Sequence, residues 1–264
     1  MSPTTLNHLI AGIAGEHVAA FFIVLARVTP LFLMAPLFSS KMFPRRVRGI
    51  VAVALAIGLT PVAIQGQHVP TQPLAIAGLM VQSLLVGLAF AFVVATVFAA
   101  LSHAGAIIDG IAGFSFGSLV DPVNGNQSGV LTHFYNIVGL MIFITIGGDA
   151  WMLRGVARTF AIVPLTKGPQ IPSLVAAATS AFGQMFVGAI ELAAPAMLAL
   201  LITDVAFGMV SRVVPQLNVF AVGFPMKVGV ALLVVAGSLG FVGGWLSDQL
   251  MNSVGSALQA MRIA

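Results

Sequence analysis

The sequence predicts an all-α polytopic membrane protein made of bent helical hairpins with a re-entrant loop. Three observations carry that prediction. Hydrophobic residues make up 59% of the chain and charged residues only 7%, whereas a water-facing surface needs about 25–35% charged residues. Several apolar runs reach the ~20 residues that a spanning helix requires at about 1.5 Å per residue. Alternation at period two is absent and Ala, Leu and Gly dominate the runs, so helices rather than a lipid-facing barrel must satisfy the backbone. A mean hydropathy of +1.09 agrees.

In chain order the strong runs are 17–39, 74–101, 129–152 and 219–246. Weaker ones are 50–64, 106–120 and 172–211, the last expected to break at Pro195 and carrying Glu191 and Asp204. Residues 1–16 lack the basic, apolar and small-residue pattern of a cleaved signal, so the first run is expected to stay in the mature protein. Glycines such as Gly139, Gly147, Gly237, Gly240 and Gly244 permit close helix approach where lipid supplies little drive for association. A polar, proline-rich stretch from Pro164 to Ser173 marks the one visible boundary.

Charge gives a partial topology. Lys41, Arg45, Arg46 and Arg48 lie together after the first run, and Arg154, Arg158 and Lys167 follow the 129–152 run. Both loops are expected on the cytoplasmic side, which requires the short, Gly-rich 106–120 segment to cross or half-cross. The 41–48 cluster reads either as an orienting loop or as a contact for anionic lipid head groups.

Arg27 stands inside an apolar run, where a charge costs at least ~2.5 kcal/mol unless it faces protein or water. Glu16 lies eleven residues earlier, about 16 Å away by helical rise, so the two cannot pair. Arg27 is expected to answer to another segment or a partner chain. Further on, residues 104–128 combine glycines with Phe114 and Phe116, then a turn at Asp121-Pro122 and Asn124-Gly125. Non-helical backbone at membrane depth is tolerated only where it is buried in protein or lines a cavity. The stretch reads as a re-entrant loop closing a pore, with a poor helix followed by a surface turn as the alternative. Asp204 and Lys227 are nearly equidistant from the polar connection 211–218. An antiparallel hairpin would bring them to one depth, where they can neutralise each other; the alternative sends each to a neighbouring subunit.

Catalytic patterns are missing from the chain, as are nucleotide loops and paired carboxylates at close helical spacing. Cysteine is absent, and His103, His133 and Asp149 have spacings that enforce no shared face. No cofactor or metal is expected, and no basic stripe with interleaved aromatics suggests nucleic acid. The twelve methionines read as packing.

Four stretches together resemble the FliR family of flagellar export-gate proteins: ARVTPLFLMAPLF at 26–38, FPRRVRGIVAVALAIGLTP at 43–61, GFSFGSLVDP at 113–122, and VSRVVPQLNVFAVGFPMKVGVAL at 210–232. The last is the most specific. The resemblance implies a non-enzymatic subunit that assembles with FliP- and FliQ-like chains, beside FlhB- and FlhA-like components, around the channel that admits unfolded export substrates. It implies a FliP-like part at 1–168, with a plug loop at about 104–128, and a FliQ-like hairpin at 169–264. Ile111, Phe114, Phe116 and Asp121 become plug residues, and Arg212 and Gln216 the cytoplasm-facing tip of the hairpin. Arg27, Asp204 and Lys227 are read as subunit or interhelix contacts. The expected location is the bacterial inner membrane, in the flagellar basal body. A virulence-type secretion relative and an ion-coupled secondary transporter are the alternative readings.

Overall fold

The computed structural model describes residues 3–35, 44–114, 129–214, 216 and 218–262. The described residues form seven helices and no strand: α1 Pro3–Met34, α2 Arg45–Ala63, α3 Pro73–Ala112, α4 Val130–Thr145, α5 Gly148–Ile162, α6 Ile171–Val213 and α7 Val219–Arg262. Starts follow sequence chemistry. Pro73 opens α3 and Pro172 sits in the first turn of α6, positions where the missing proline N–H has no helical partner to lose. Asn218 precedes α7 and its Oδ1 accepts from the Ala221 amide at 3.2 Å, a side-chain N-cap.

Three expectations about the runs are corrected. The 129–152 run is two helices, because Gly147 takes a left-handed backbone (φ +69°) and bends the chain sharply between α4 and α5. Residues 106–112 are not a separate crossing; they are the last turns of the 40-residue α3. That helix stops where Gly113 turns left-handed (φ +90°) and returns its amide to the Asp109 carbonyl at 3.1 Å, a glycine C-terminal cap. Pro195 does not break α6, which runs 43 residues; in apolar surroundings, opening the helix would strand more backbone groups than the proline does. Similarly, α7 holds Pro225 in its interior and continues to Arg262.

At about 1.5 Å per residue, α3, α6 and α7 are each ~60 Å long, twice the ~30 Å hydrocarbon core of a bilayer. Among the described residues, five helices are long and apolar enough to cross a membrane; α4 and α5 pass only as a bent pair. This is an all-α, polytopic membrane architecture.

The chain divides into two compact units. One comprises Met1–Ala95, Gly147–Ala181 and Met251–Ala264. Its core lies along one face of α1, where Ala20, Ile23, Val24, Val28 and Leu31 are buried at helical spacing. Gly87 of α3 lets that helix approach the backbone of α1 at Arg27, where a Cβ would collide with the carbonyl. The other unit comprises Thr96–Ile146 and Phe182–Leu250 and contains two antiparallel hairpins. In the first, contacts between α3 and α4 step outward from Phe98–Phe143 through Ser102–Asn136 (2.6 Å) to Gly105–Thr132. In the second, α6 and α7 meet at Phe207–Gly223, Asp204–Lys227, Glu191–Trp245 and Gln184–Gln249. The boundary at 168/169 falls in the connection between α5 and α6, whereas the spatial units cut α3, α6 and α7 internally.

Candidate functional site

The site is the neck of the 115–128 segment, and it is built around a carboxylate. Asp109, in the last turn of α3, is 2% exposed. Its Oδ1 accepts from the Leu131 amide at 2.9 Å, and its Oδ2 accepts from the Thr132 amide at 2.8 Å and the Thr132 hydroxyl at 2.7 Å. The first amides of a helix have no intrahelical partner, and the helix start carries partial positive charge. Gly129, which precedes α4, offers no side-chain cap of its own, so Asp109 caps α4 from across the hairpin. Only glycine fits at 129, because a Cβ there would fall on the Asp109 carboxylate. One buried anion thereby ties both ends of the segment together, and three donors replace the water it has lost.

A second tie comes from the other hairpin of the same unit. Lys227 Nζ lies 2.5 Å from Asp204 Oδ1 and donates to the Ile111 carbonyl at 3.4 Å. The Ile111 carbonyl is in the last turn of α3, whose final carbonyls lack helical donors. A cation there also meets the negative end of the helix. Asp204 and Lys227 are thus brought together, at the point where α3 gives way to the segment.

Ile111 and Phe114 are half-buried at the end of α3 and in the turn after it. Phe116 and Asp121 lie outside the described residues. Arg212 lies in the last turn of α6, Gln216 lies in the following turn, and both are exposed at the tip of the α6–α7 hairpin.

Arg27 belongs to the other unit, and its partners are in its own chain. Nη1 donates to the Thr159 and Val163 carbonyls at 3.1 and 2.7 Å, while Nε and Nη2 donate to Ser83 Oγ at 3.3 and 3.1 Å. The guanidinium also lies 4.5 Å from the Phe160 ring centroid, a cation–π distance. The segments that answer Arg27 are therefore α3, α5 and the residue after α5. Glu16 instead lies 3.6 Å from His68.

Asp109 is the residue that sequence reasoning passed over. It was visible as an acid in an apolar, Gly-rich stretch, and an ionisable group at membrane depth is a functional candidate by default. Its partners were not visible, because they lie 22 and 23 residues away across a loop. Among the described residues no three His, Asp or Glu side chains converge as metal ligands, and His103 Nδ1 lies 2.7 Å from the Ala99 carbonyl.

Residues 18–253 match the family described as bacterial export proteins, family 1. The chain is 32% identical to the flagellar biosynthetic protein FliR of Pectobacterium carotovorum subsp. carotovorum over 219 residues, covering 82% of both chains. It is 31% identical to FliR of Escherichia coli (strain K12), again over 82% of each. The surface presentation of antigens protein SpaR of Salmonella typhimurium is 27% identical, over 87% of this chain and 83% of its own. A match that spans nearly the whole helical chain, from α1 to the last turns of α7, establishes that this protein belongs to bacterial export proteins family 1, the FliR family of integral membrane components of flagellar and type III export.

Proposed function

We propose that this chain is the FliR-type subunit of a flagellar type III export gate in the bacterial inner membrane, at the flagellar basal body. It assembles there with FliP- and FliQ-like subunits, next to FlhB- and FlhA-like components, around the channel that admits unfolded substrates. Within that assembly the 104–128 segment closes the channel, with Ile111, Phe114 and Phe116 as the obstructing side chains. The single observation that supports this most is the double tie at the base of the segment, through Asp109 to α4 and through Lys227 to Ile111. A buried carboxylate pins the two flanks of the segment, the end of α3 and the start of α4, to one another.

The partner reading draws on helix length and surface. Helices of ~60 Å exceed a bilayer, and α6 and α7 expose Leu198, Ile202, Val205 and Leu233 at 63%, 63%, 62% and 75%. Such rows call for lipid or helical neighbours. The α6–α7 hairpin, with Arg212 and Gln216 at its tip, supports a FliQ-like part at 169–264 following a FliP-like part at 1–168. The decisive experiment is co-expression with FliP- and FliQ-like chains and affinity capture through this one. A stoichiometric detergent-stable complex is expected; a chain that purifies alone and well folded would overturn the proposal.

The similarity to SpaR favours one second reading, a virulence-type export gate with the same physics. The secondary-transporter reading loses a central residue, since Arg27 is engaged by two carbonyls, a hydroxyl and a ring within its unit.

A further inference from the structure

We propose that the groove between α5 and the C-terminal turns of α7 binds the phosphate head group of an anionic phospholipid. Both flanks belong to the same compact unit. The groove holds a cavity of about 120 Å³ lined by Trp151, Arg154, Gly155, Arg158, Val254 and Gly255. That is roughly ten times the ~10–15 Å³ that one water needs. Arg154 and Arg158 are one turn apart and therefore project from one face of α5. Both are exposed, and among the described residues neither has an ion-pair or hydrogen-bond partner. Asp149, the acid of α5, lies nine residues before Arg158, half a turn out of phase at 100° per residue, and so leaves the pair uncompensated.

The other face of α5 buries Gly148, Met152, Val156, Thr159 and Phe160 against the unit. A helix with one face packed and the other presenting Trp and Arg has the residue pattern of the head-group layer, where the indole sits at the interface and guanidinium meets phosphate. Glycines form the floor. A Cβ at Gly155 would reach the Phe90 ring at 2.6 Å, which keeps α5 close to α3, whereas a Cβ at Gly255 meets no atom within 4 Å and points into open space. The apolar remainder of the wall, Val254 and Leu258, suits the glycerol and upper acyl part of a lipid better than a free ion or an acidic peptide. Charge complementarity in a membrane-embedded chain thus commits the groove to one occupant.

The chain has two tryptophans, so a Trp245→Phe background leaves Trp151 as the reporter. The full-length protein in neutral detergent is titrated with phosphatidylglycerol brominated on its acyl chains, and with the matching phosphatidylcholine. Quenching of Trp151 should saturate at phosphatidylglycerol concentrations at least tenfold lower than for phosphatidylcholine. Arg154→Gln combined with Arg158→Gln should abolish that preference, and Gly255→Leu, which fills the space without meeting protein, should weaken phosphatidylglycerol binding at least fivefold. Equal quenching by both lipids would overturn the assignment, as would retention of the preference in the double-Gln variant. Displacement of phosphatidylglycerol by millimolar inorganic phosphate or by a polyglutamate peptide would overturn it in favour of a free-anion or acidic-peptide site, while displacement by neither supports the lipid.

Discussion

Asp109 and Thr132 are joined twice, the amide and the hydroxyl of Thr132 both donating to one carboxylate oxygen at 2.8 and 2.7 Å. The residues between them include 110–128 of the segment assigned to the gate. Removing the carboxylate leaves two helix-start amides unpaired at a buried position, and charge-assisted bonds contribute about 1.5–3 kcal/mol each. Asp109→Ala should therefore lower unfolding stability in detergent by about 2 kcal/mol or more, and should open residues 115–128 to protease. Asp109→Asn keeps one acceptor and should fall between the two. Equal protection of the segment in wild type and Asp109→Ala would remove the neck from the account.

Close approach of α3 and α4 rests on Gly105, where a Cβ would lie 2.5 Å from the Thr132 Cα. Backbone cannot yield as a flexible side-chain end does, so Gly105→Ala should destabilise by about 1–3 kcal/mol. Gly110, five residues on, meets nothing within 4 Å; there the same change should be neutral or stabilise by up to about 1 kcal/mol. Unfolding curves of the two variants side by side check the difference, and identical shifts would mean that α3 and α4 are not in this contact.

Arg27 links α1 to α3 and α5 through several donors in a planar fork. Lysine keeps the charge but not the geometry. Arg27→Lys should lose most of the stability that Arg27→Ala loses, about 2 kcal/mol or more, because each buried acceptor left unpaired costs about 1–3 kcal/mol. Thermal unfolding with both variants decides: full rescue by lysine would show that charge alone matters.

For Asp204 and Lys227 a double-mutant cycle isolates the pair. Asp204→Asn and Lys227→Gln should each impair export, and the double variant should be less impaired than their sum, with a coupling of about 1 kcal/mol since Asp204 is partly exposed. If Asp204→Asn is not relieved by removing Lys227, each charge answers to a neighbouring subunit instead.

Much of this fold is readable from residue order, and the reasons for the misses are physical. Apolar length announced the spans, and the comparable distances of Asp204 and Lys227 from 211–218 suggested a pairing, with neighbouring subunits as the alternative, that the structure shows within the chain. Local rules failed where environment overrode them. Pro195 reads as a break by propensity, yet α6 passes through it, because backbone in apolar surroundings has no better hydrogen-bond partner than its own helix. Gly147 reads as one more small residue in a run, and only its left-handed φ makes it a bend. The site itself was half legible. Its glycines and aromatics read as a re-entrant loop, of which 104–112 are helix and 115–128 lie outside the described residues, while Asp109 gains its meaning from amides beyond the loop, which no spacing rule connects to it.

The claim at the centre is that the 104–128 segment closes a channel, and ion conductance across membranes holding the assembled complex tests it most directly. Replacing Phe114 and Phe116 together with Gly removes the bulk assigned to the closure. The account predicts a resting leak of small ions at least several-fold above wild type, whereas an unchanged conductance in a correctly assembled complex would contradict it.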